Sequence, residues 1–211
     1  MQANHIRRLS AAVLMAGLAG AAQAHTGHGT HSLMAGLAHP FGLDHLLAMV
    51  AVGVWSVSAL PKGKVWWGPA TFLLALVASA ALGAAGVTVP YLEHAIALSV
   101  VLCGAMLVLA SRAVPAMPVA VGLGLIAAAS SLHGLAHGAE TPAAGFAGYA
   151  AGFMLTTAVL HIGGVGVGLA IQRWMGARKG LVLGGMGAAL GAAGVAACCG
   201  LRLSAGAARV A

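Results

Sequence analysis

Two imidazoles and a carboxylate stand within the stretch His133-Gly-Leu-Ala-His137-Gly-Ala-Glu140, in a chain with only 3 acidic residues in all. At roughly 100° per residue, a helix would gather His133, His137 and Glu140 into an arc of about 60° on one face. Neutral imidazole nitrogens beside a carboxylate oxygen suit borderline divalent ions such as Ni²⁺, Co²⁺ or Zn²⁺, and a cluster without thiolates suits Cu⁺ poorly. The plainer alternative is a polar helix end at a membrane interface whose histidines bond to their neighbours. A histidine pair at i and i+4 with an acid at i+7 favours ligands over that alternative.

Further candidates recur along the chain. In His39-Pro-Phe-Gly-Leu-Asp44-His45-Leu-Leu-Ala-Met49, Pro40 is tolerated at a helix start, which places His39 at or just before that start. An ionised Asp inside a membrane segment costs on the order of 3 kcal/mol, so Asp44 requires a partner or a bound cation. Asp44 is either a ligand or an acceptor that orients His45. Glu93 and His94 are adjacent, about 100° apart on a helix, and Glu93 is the one expected to face a site, with His94 as a hydrogen-bond partner. Thr157 and His161 share a helical face, and His161 is read as a ligand or a partner of one. Near the amino terminus, His25-Thr-Gly-His28-Gly-Thr-His31 has glycines between its histidines, a flexible arrangement able to gather a divalent ion from dilute solution.

The elements that must position these groups follow from composition. Hydrophobic residues make up 61% of the chain, charged residues 6%, and there are 32 glycines, a balance that excludes a water-soluble domain and specifies a polytopic, all-α membrane protein in contact with the lipid bilayer. Abundant Gly and Ala predict close helix packing in lipid. The formal charge of +7 is scattered over short loops, so it signals topology and excludes a nucleic-acid partner. The 3 cysteines, Cys103, Cys198 and Cys199, have neither metal-ligand spacing nor an even-numbered framework. No G-x-x-x-x-G-K-[ST] stretch occurs, so the chain carries no nucleotide engine, and no ATPase subunit is evident from it.

Residues 1–24 have a basic start, an apolar run from Leu9 to Ala22 and the triplet Ala22-Gln23-Ala24, the marks of a cleavable signal peptide. An uncleaved signal anchor would give the same orientation. Cleavage after Ala24 would expose the α-amine of His25 beside its imidazole as a chelating pair. The expected organisation is therefore a signal peptide at 1–24, a histidine-rich periplasmic segment at 25–38, a transmembrane bundle of six helices at 39–201 and a short tail at 202–211. The first span should open at His39 and run to about Leu60; the second should cover about Trp66 to Ala85 and, having nothing ionisable, serve packing. The third should run from about Val89 to Ala110, and the fourth should end in the histidine cluster. The fifth, of about thirty residues, would measure about 45 Å and must tilt, bend or protrude; the sixth should cover about Leu181 to Leu201. Within the fifth, Gly163 to Gly168 predict close helix contact. With the mature terminus periplasmic, the loops carrying Lys62, Lys64, Arg112, Arg173, Arg178 and Lys179 all face the cytoplasm, as the positive-inside rule requires, with Arg202 and Arg209 as exceptions.

Taken together, these stretches resemble the HupE/UreJ family of bacterial nickel and cobalt permeases. The resemblance is carried by a signal peptide followed by histidine, by His39-Pro40 with Asp44-His45, by Glu93, by the cluster from His133 to Glu140, and by Thr157 with His161. It implies six mature helices, transport of Ni²⁺ or Co²⁺ across the bacterial inner membrane, and metal-binding roles for His39, Asp44, His45, His133, His137 and Glu140. The inclusion of His25, Glu93 and His161 in the site rests on the residue reading above. The expected activity is that of a secondary permease and not an enzyme, with no cofactor beyond the transported ion. Free imidazoles protonate below about pH 6, so metal binding should weaken there. A membrane cytochrome holding haem between paired histidines is the rival reading. A zinc hydrolase is disfavoured because H-E-x-x-H is absent.

Overall fold

The computed structural model describes residues 33–112, 117–140 and 146–207, without the side chains of Leu43, Asp44, Phe146 and 201–207. The expected signal peptide, His25 and the end of the tail lie outside the described residues. Among the described residues all regular structure is helical: α1 (Leu33–Ala38), a 3-10 turn (His39–Phe41), α2 (Leu43–Ala59), α3 (Trp67–Ala84), α4 (Leu92–Ser111), α5 (Val119–Glu140), α6 (Phe146–Trp174), a second 3-10 turn (Gly176–Arg178) and α7 (Lys179–Ala207).

Among the described residues five helices are long and apolar enough to cross a membrane, and a sixth span is present if α1 and α2, bent by 69° at their junction, are one broken span. The helical path into α2 thus begins before the position expected from Pro40. Pro40 is accommodated in the first residues of the 3-10 turn, where its missing N–H costs no bond. Gly42 is then extended, with φ −51° and ψ 137°, so the run breaks and restarts at Leu43. At the other end α7 continues to Ala207, beyond the expected Leu201. The fifth span has the expected length, 29 residues. The α2–α3 loop carries Lys64, whose Nζ lies 4.2 Å from the centroid of the Trp67 ring, a cation–π contact at the foot of α3.

Three helix pairs make up most of the packing: α4 with α7, α3 with α5, and α2 with α6; α1 lies against α6. Each pair meets through glycines where a methyl group would strike the neighbouring backbone. On α5, a Cβ at Gly134 would meet the Leu76 carbonyl and Ser79, and one at Gly138 would meet the Ala80 carbonyl and the Ala84 amide of α3. On α6, Gly164 lies on Val50 and Gly168 on Val54 and Val57 of α2. On α4, Gly104 faces the backbone of Gly187 and Gly191 of α7. The spacing of four between Gly134 and Gly138, and between Gly164 and Gly168, leaves one smooth strip per turn of helix, so backbones approach and gain dispersion contacts that lipid does not supply. The close helix contact expected of the Gly163 to Gly168 run is made by Gly164 and Gly168, whereas Gly163 and Gly166 have open space.

The shift of paired contacts along both helices runs in the same sense for α3 with α5 and for α2 with α6, so these pairs are parallel. The α4–α7 pair is antiparallel, since Gly194 meets Ala97 and Val101 while Gly184 meets Ser111. Met49 and Val54 of α2, Leu107 of α4, Phe72 of α3 and Ile126 of α5 are fully buried between them. Leu74, Leu98, Leu155 and Leu181 point outward and are exposed, a mostly apolar rim of the kind that faces hydrocarbon.

Candidate metal centre

The 3-10 turn, the start of α2, the end of α5 and the start of α6 lie at one end of the bundle, and the histidines of the first three meet there. His39, His45 and His137 each offer a ring nitrogen, and the three donor atoms lie within 4.8 Å of one another. His45 and His137 are buried and His39 is half-buried. The Nε2 atoms of His45 and His137 are 2.5 Å apart. The His39 ring stands edge-on to His137, with centroids 4.7 Å apart, and to His45 at 5.8 Å.

His133, one turn before His137 on α5, joins the group from below. Its Nδ1 lies 3.4 Å from Nε2 of His45, and its Nε2 lies 3.1 Å from Oγ of Ser99 on α4. The Ser99 hydroxyl donates to the Ile96 carbonyl at 2.7 Å. A hydroxyl has one proton, so with it given to Ile96 the Ser99 oxygen accepts from His133. Nε2 of His133 therefore carries the hydrogen, and the lone pair on Nδ1 points at His45. Three imidazoles from the 3-10 turn, α2 and α5 thus offer donors to one small volume, and His133 abuts it through His45.

α6 closes the group from the side. The Phe153 ring lies 4.7 Å from that of His137 and 5.8 Å from that of His39. Tyr149 meets His39 edge-on at 5.8 Å. α1 is held against the same helix by Thr156, whose hydroxyl donates to the Leu37 carbonyl at 2.9 Å, and by Gly36, which sits against the Tyr149 carbonyl. That docking fixes the 3-10 turn and with it His39.

The acids occupy different places. Asp44 is in the first turn of α2 next to His45, and its side chain lies outside the described residues. Glu93 is in the first turn of α4 and is exposed, and Glu140 is the last residue of α5 and is exposed. Neither belongs to the three-histidine group. Glu140 has nearly the same angular position on α5 as His133, but it stands about 4.5 Å further along the axis than His137, within electrostatic reach of Tyr149. His94 packs edge-on to Tyr91, with centroids 6.2 Å apart.

His161 is 1% exposed and stands apart from the three-histidine group. Its Nδ1–H donates to the Thr157 carbonyl at 2.8 Å, so Nε2 carries the lone pair. The Phe72 ring lies 4.8 Å from His161 and 6.3 Å from His133.

Ser99, Phe72, Tyr149 and Phe153 were not singled out by residue type, yet each touches a histidine of the centre. The signal for two of them is a spacing: Tyr149, Phe153, Thr157 and His161 recur every fourth residue and so form one row along α6. Ser99 and Phe72 carry no such mark, because a lone serine or phenylalanine in an apolar helix reads as packing.

Comparison with known proteins agrees with this architecture. A family model described as HupE / UreJ protein matches residues 13–197. A protein named Protein HupE, from Rhizobium leguminosarum bv. viciae, is 42% identical over 155 residues, covering 72% of this chain and 78% of that protein. No solved structure matches. The helices of membrane-spanning length and this match over most of the sequence mark a multi-pass membrane protein, and the chain belongs to the HupE/UreJ family.

Proposed function

We propose that the protein is a secondary permease that imports Ni²⁺ or Co²⁺ across the bacterial inner membrane through the histidine centre, which lies near the periplasmic side. The observation that carries this reading is the convergence of His39, His45, His133 and His137, from three elements, with nitrogen donors facing one another inside an apolar bundle. Imidazole nitrogens are the donors that borderline divalent ions prefer, and together they replace part of an ion's water. Asp44, beside His45 in the chain, supplies the negative charge a bound dication needs. The segment from His25 collects the ion outside, and Glu93 and Glu140 at the exposed end draw cations toward it.

Binding requires a small expansion. Imidazole nitrogens about 2.1 Å from a tetrahedral ion lie about 3.4 Å from each other, so the His45–His137 contact of 2.5 Å opens by about 0.9 Å on loading. For a dication, 100 mV negative inside contributes about 4.6 kcal/mol at about 2.3 kcal/mol per charge, so inward movement needs no ATP.

The test is accumulation of radioactive Ni²⁺ in cells expressing His133→Ala or Asp44→Ala, with membrane abundance measured in parallel. Accumulation is abolished in both variants at unchanged abundance if the reading holds. Normal uptake in both would sink it.

A further inference from the structure

The row of residues along α6 leads from the histidine centre into the bundle. Phe153 packs on His39 and His137; Thr157 is one turn further in, and His161 two turns, about 12 Å along the helix axis from Phe153. His133 is likewise one turn deeper than His137 on α5. Phe72 of α3 reaches this depth: its carbonyl accepts from the Ser130 hydroxyl at 2.6 Å, and its ring touches both His133 and His161. His161, whose ring packs on Phe72, and Thr157, one turn before it on α6, each hold a buried polar atom, Nε2 and Oγ1, that has no hydrogen-bond partner among the described residues.

Such atoms are expensive to keep. A buried nitrogen lone pair and a buried hydroxyl without partners each forfeit the hydrogen bonds they would make in water. Nδ1 of His161 is committed to the Thr157 carbonyl, which turns the remaining donor atom, Nε2, away from its own backbone. Thr157 is fully buried and His161 nearly so. One lone pair and one hydroxyl oxygen, on the same helix face one turn apart, form an incomplete coordination set suited to an ion that keeps part of its water.

The geometry points to a second, inner station for the transported ion, made by His161 Nε2 and Thr157 Oγ1 and separated from the histidine centre by the Phe72 ring. This inference rests on the permease reading above and adds to it a place where the ion pauses after leaving His133. The outer centre holds the ion with the imidazoles of His39, His45 and His137. The inner station offers one imidazole and one hydroxyl, so it binds more weakly and passes the ion on. Phe72 is the apolar barrier between them, and its ring must turn or shift for each ion that moves.

The experiment uses the full-length protein purified and reconstituted in liposomes, with CoCl₂ as probe. Equilibrium Co²⁺ binding is read from the visible absorption of the His-ligated ion, and uptake from quenching of a dye trapped inside. His161→Gln is expected to retain the outer-centre spectrum and affinity while lowering initial uptake by about tenfold or more, the effect of removing one favourable contact to a charged group from the transit path. Thr157→Val, of the same size but lacking the hydroxyl, is read in the same way, so a His161 variant that does not fold still leaves the proposal exposed. Wild-type uptake in a folded variant would overturn the inner station, and so would loss of the outer-centre spectrum in a monodisperse variant, since it would put His161 in the outer centre. Absence of Co²⁺ binding by the unaltered protein would instead remove the permease reading itself.

Discussion

His45 and His137 are 92 positions apart in the chain, yet their Nε2 atoms face each other at 2.5 Å. Two imidazole nitrogens can meet in this way only if one carries a hydrogen and the other offers its lone pair. The contact is thus a proton held where a metal ion would sit. Loading moves that hydrogen to the other nitrogen of its ring, because a neutral imidazole ligates through one nitrogen and keeps its hydrogen on the other, and this ties metal affinity to the tautomers of the neighbouring rings.

Removing either partner should cost more than removing a supporting residue. Partners of metal ligands are typically worth about 10–100-fold in affinity, and a ligand exceeds that range. His137→Gln is accordingly expected to weaken Co²⁺ binding by about a hundredfold or more, read by titration of the purified protein followed in the visible. Binding within threefold of the unaltered protein, taken as about 0.6 kcal/mol, would remove His137 from the centre.

Ser99 has a smaller, separable role. By accepting the Nε2 hydrogen of His133 it holds the ring in the tautomer whose Nδ1 lone pair enters the centre. Ser99→Ala should reduce affinity by about 10–100-fold with the helical signal intact, whereas Ser99→Thr, which keeps the hydroxyl, restores it. Equal affinities for the Ala variant and the parent would mean that another partner orients the ring.

Acid should empty the centre. A protonated ring cannot ligate, so affinity falls as pH drops. Several imidazoles act together, and metal release is expected to follow more than one proton. The measurement is Co²⁺ affinity at a series of pH values from about 5 to 8; a flat profile would contradict ligation by histidine.

The glycine strip beneath the centre is a stability element. A methyl group at Gly138 would meet the Ala80 carbonyl and the Ala84 amide, which are backbone atoms and cannot swing aside. Gly138→Ala should separate α5 from α3 and cost about 1–3 kcal/mol, in the range of overpacked cores. The check is a lower midpoint of thermal aggregation in detergent, with Gly163→Ala, which has open space, as the control that leaves the midpoint unchanged.

Local rules account for a large part of the molecule. Apolar runs bounded by Pro, Gly and basic loops mark α3 to α7, because a helix is the one way such a run satisfies its backbone in lipid. The i, i+4 spacing likewise puts His133 and His137 on one side of α5 before any partner is known. Composition cannot reveal how α1 behaves. At six residues it is too short to be stable alone, and it is helical because Gly36 and Gly152 let it lie flat on α6. That docking, and the extended Gly42 after it, decides where His39 points.

The acids mark the same boundary from the other side. Angular position on α5 puts Glu140 on the ligand face, but a helix also rises, and the rise carries Glu140 out to the exposed end. Residue types and spacings therefore determine which groups are available and which way each helix presents them. Contact between His39, His45, His133 and His137, and the support they receive from Ser99, Phe72 and Phe153, depends on which helices pair and at what height. Those choices are made by interhelical packing of small residues, a property of facing surfaces that no single stretch of chain contains.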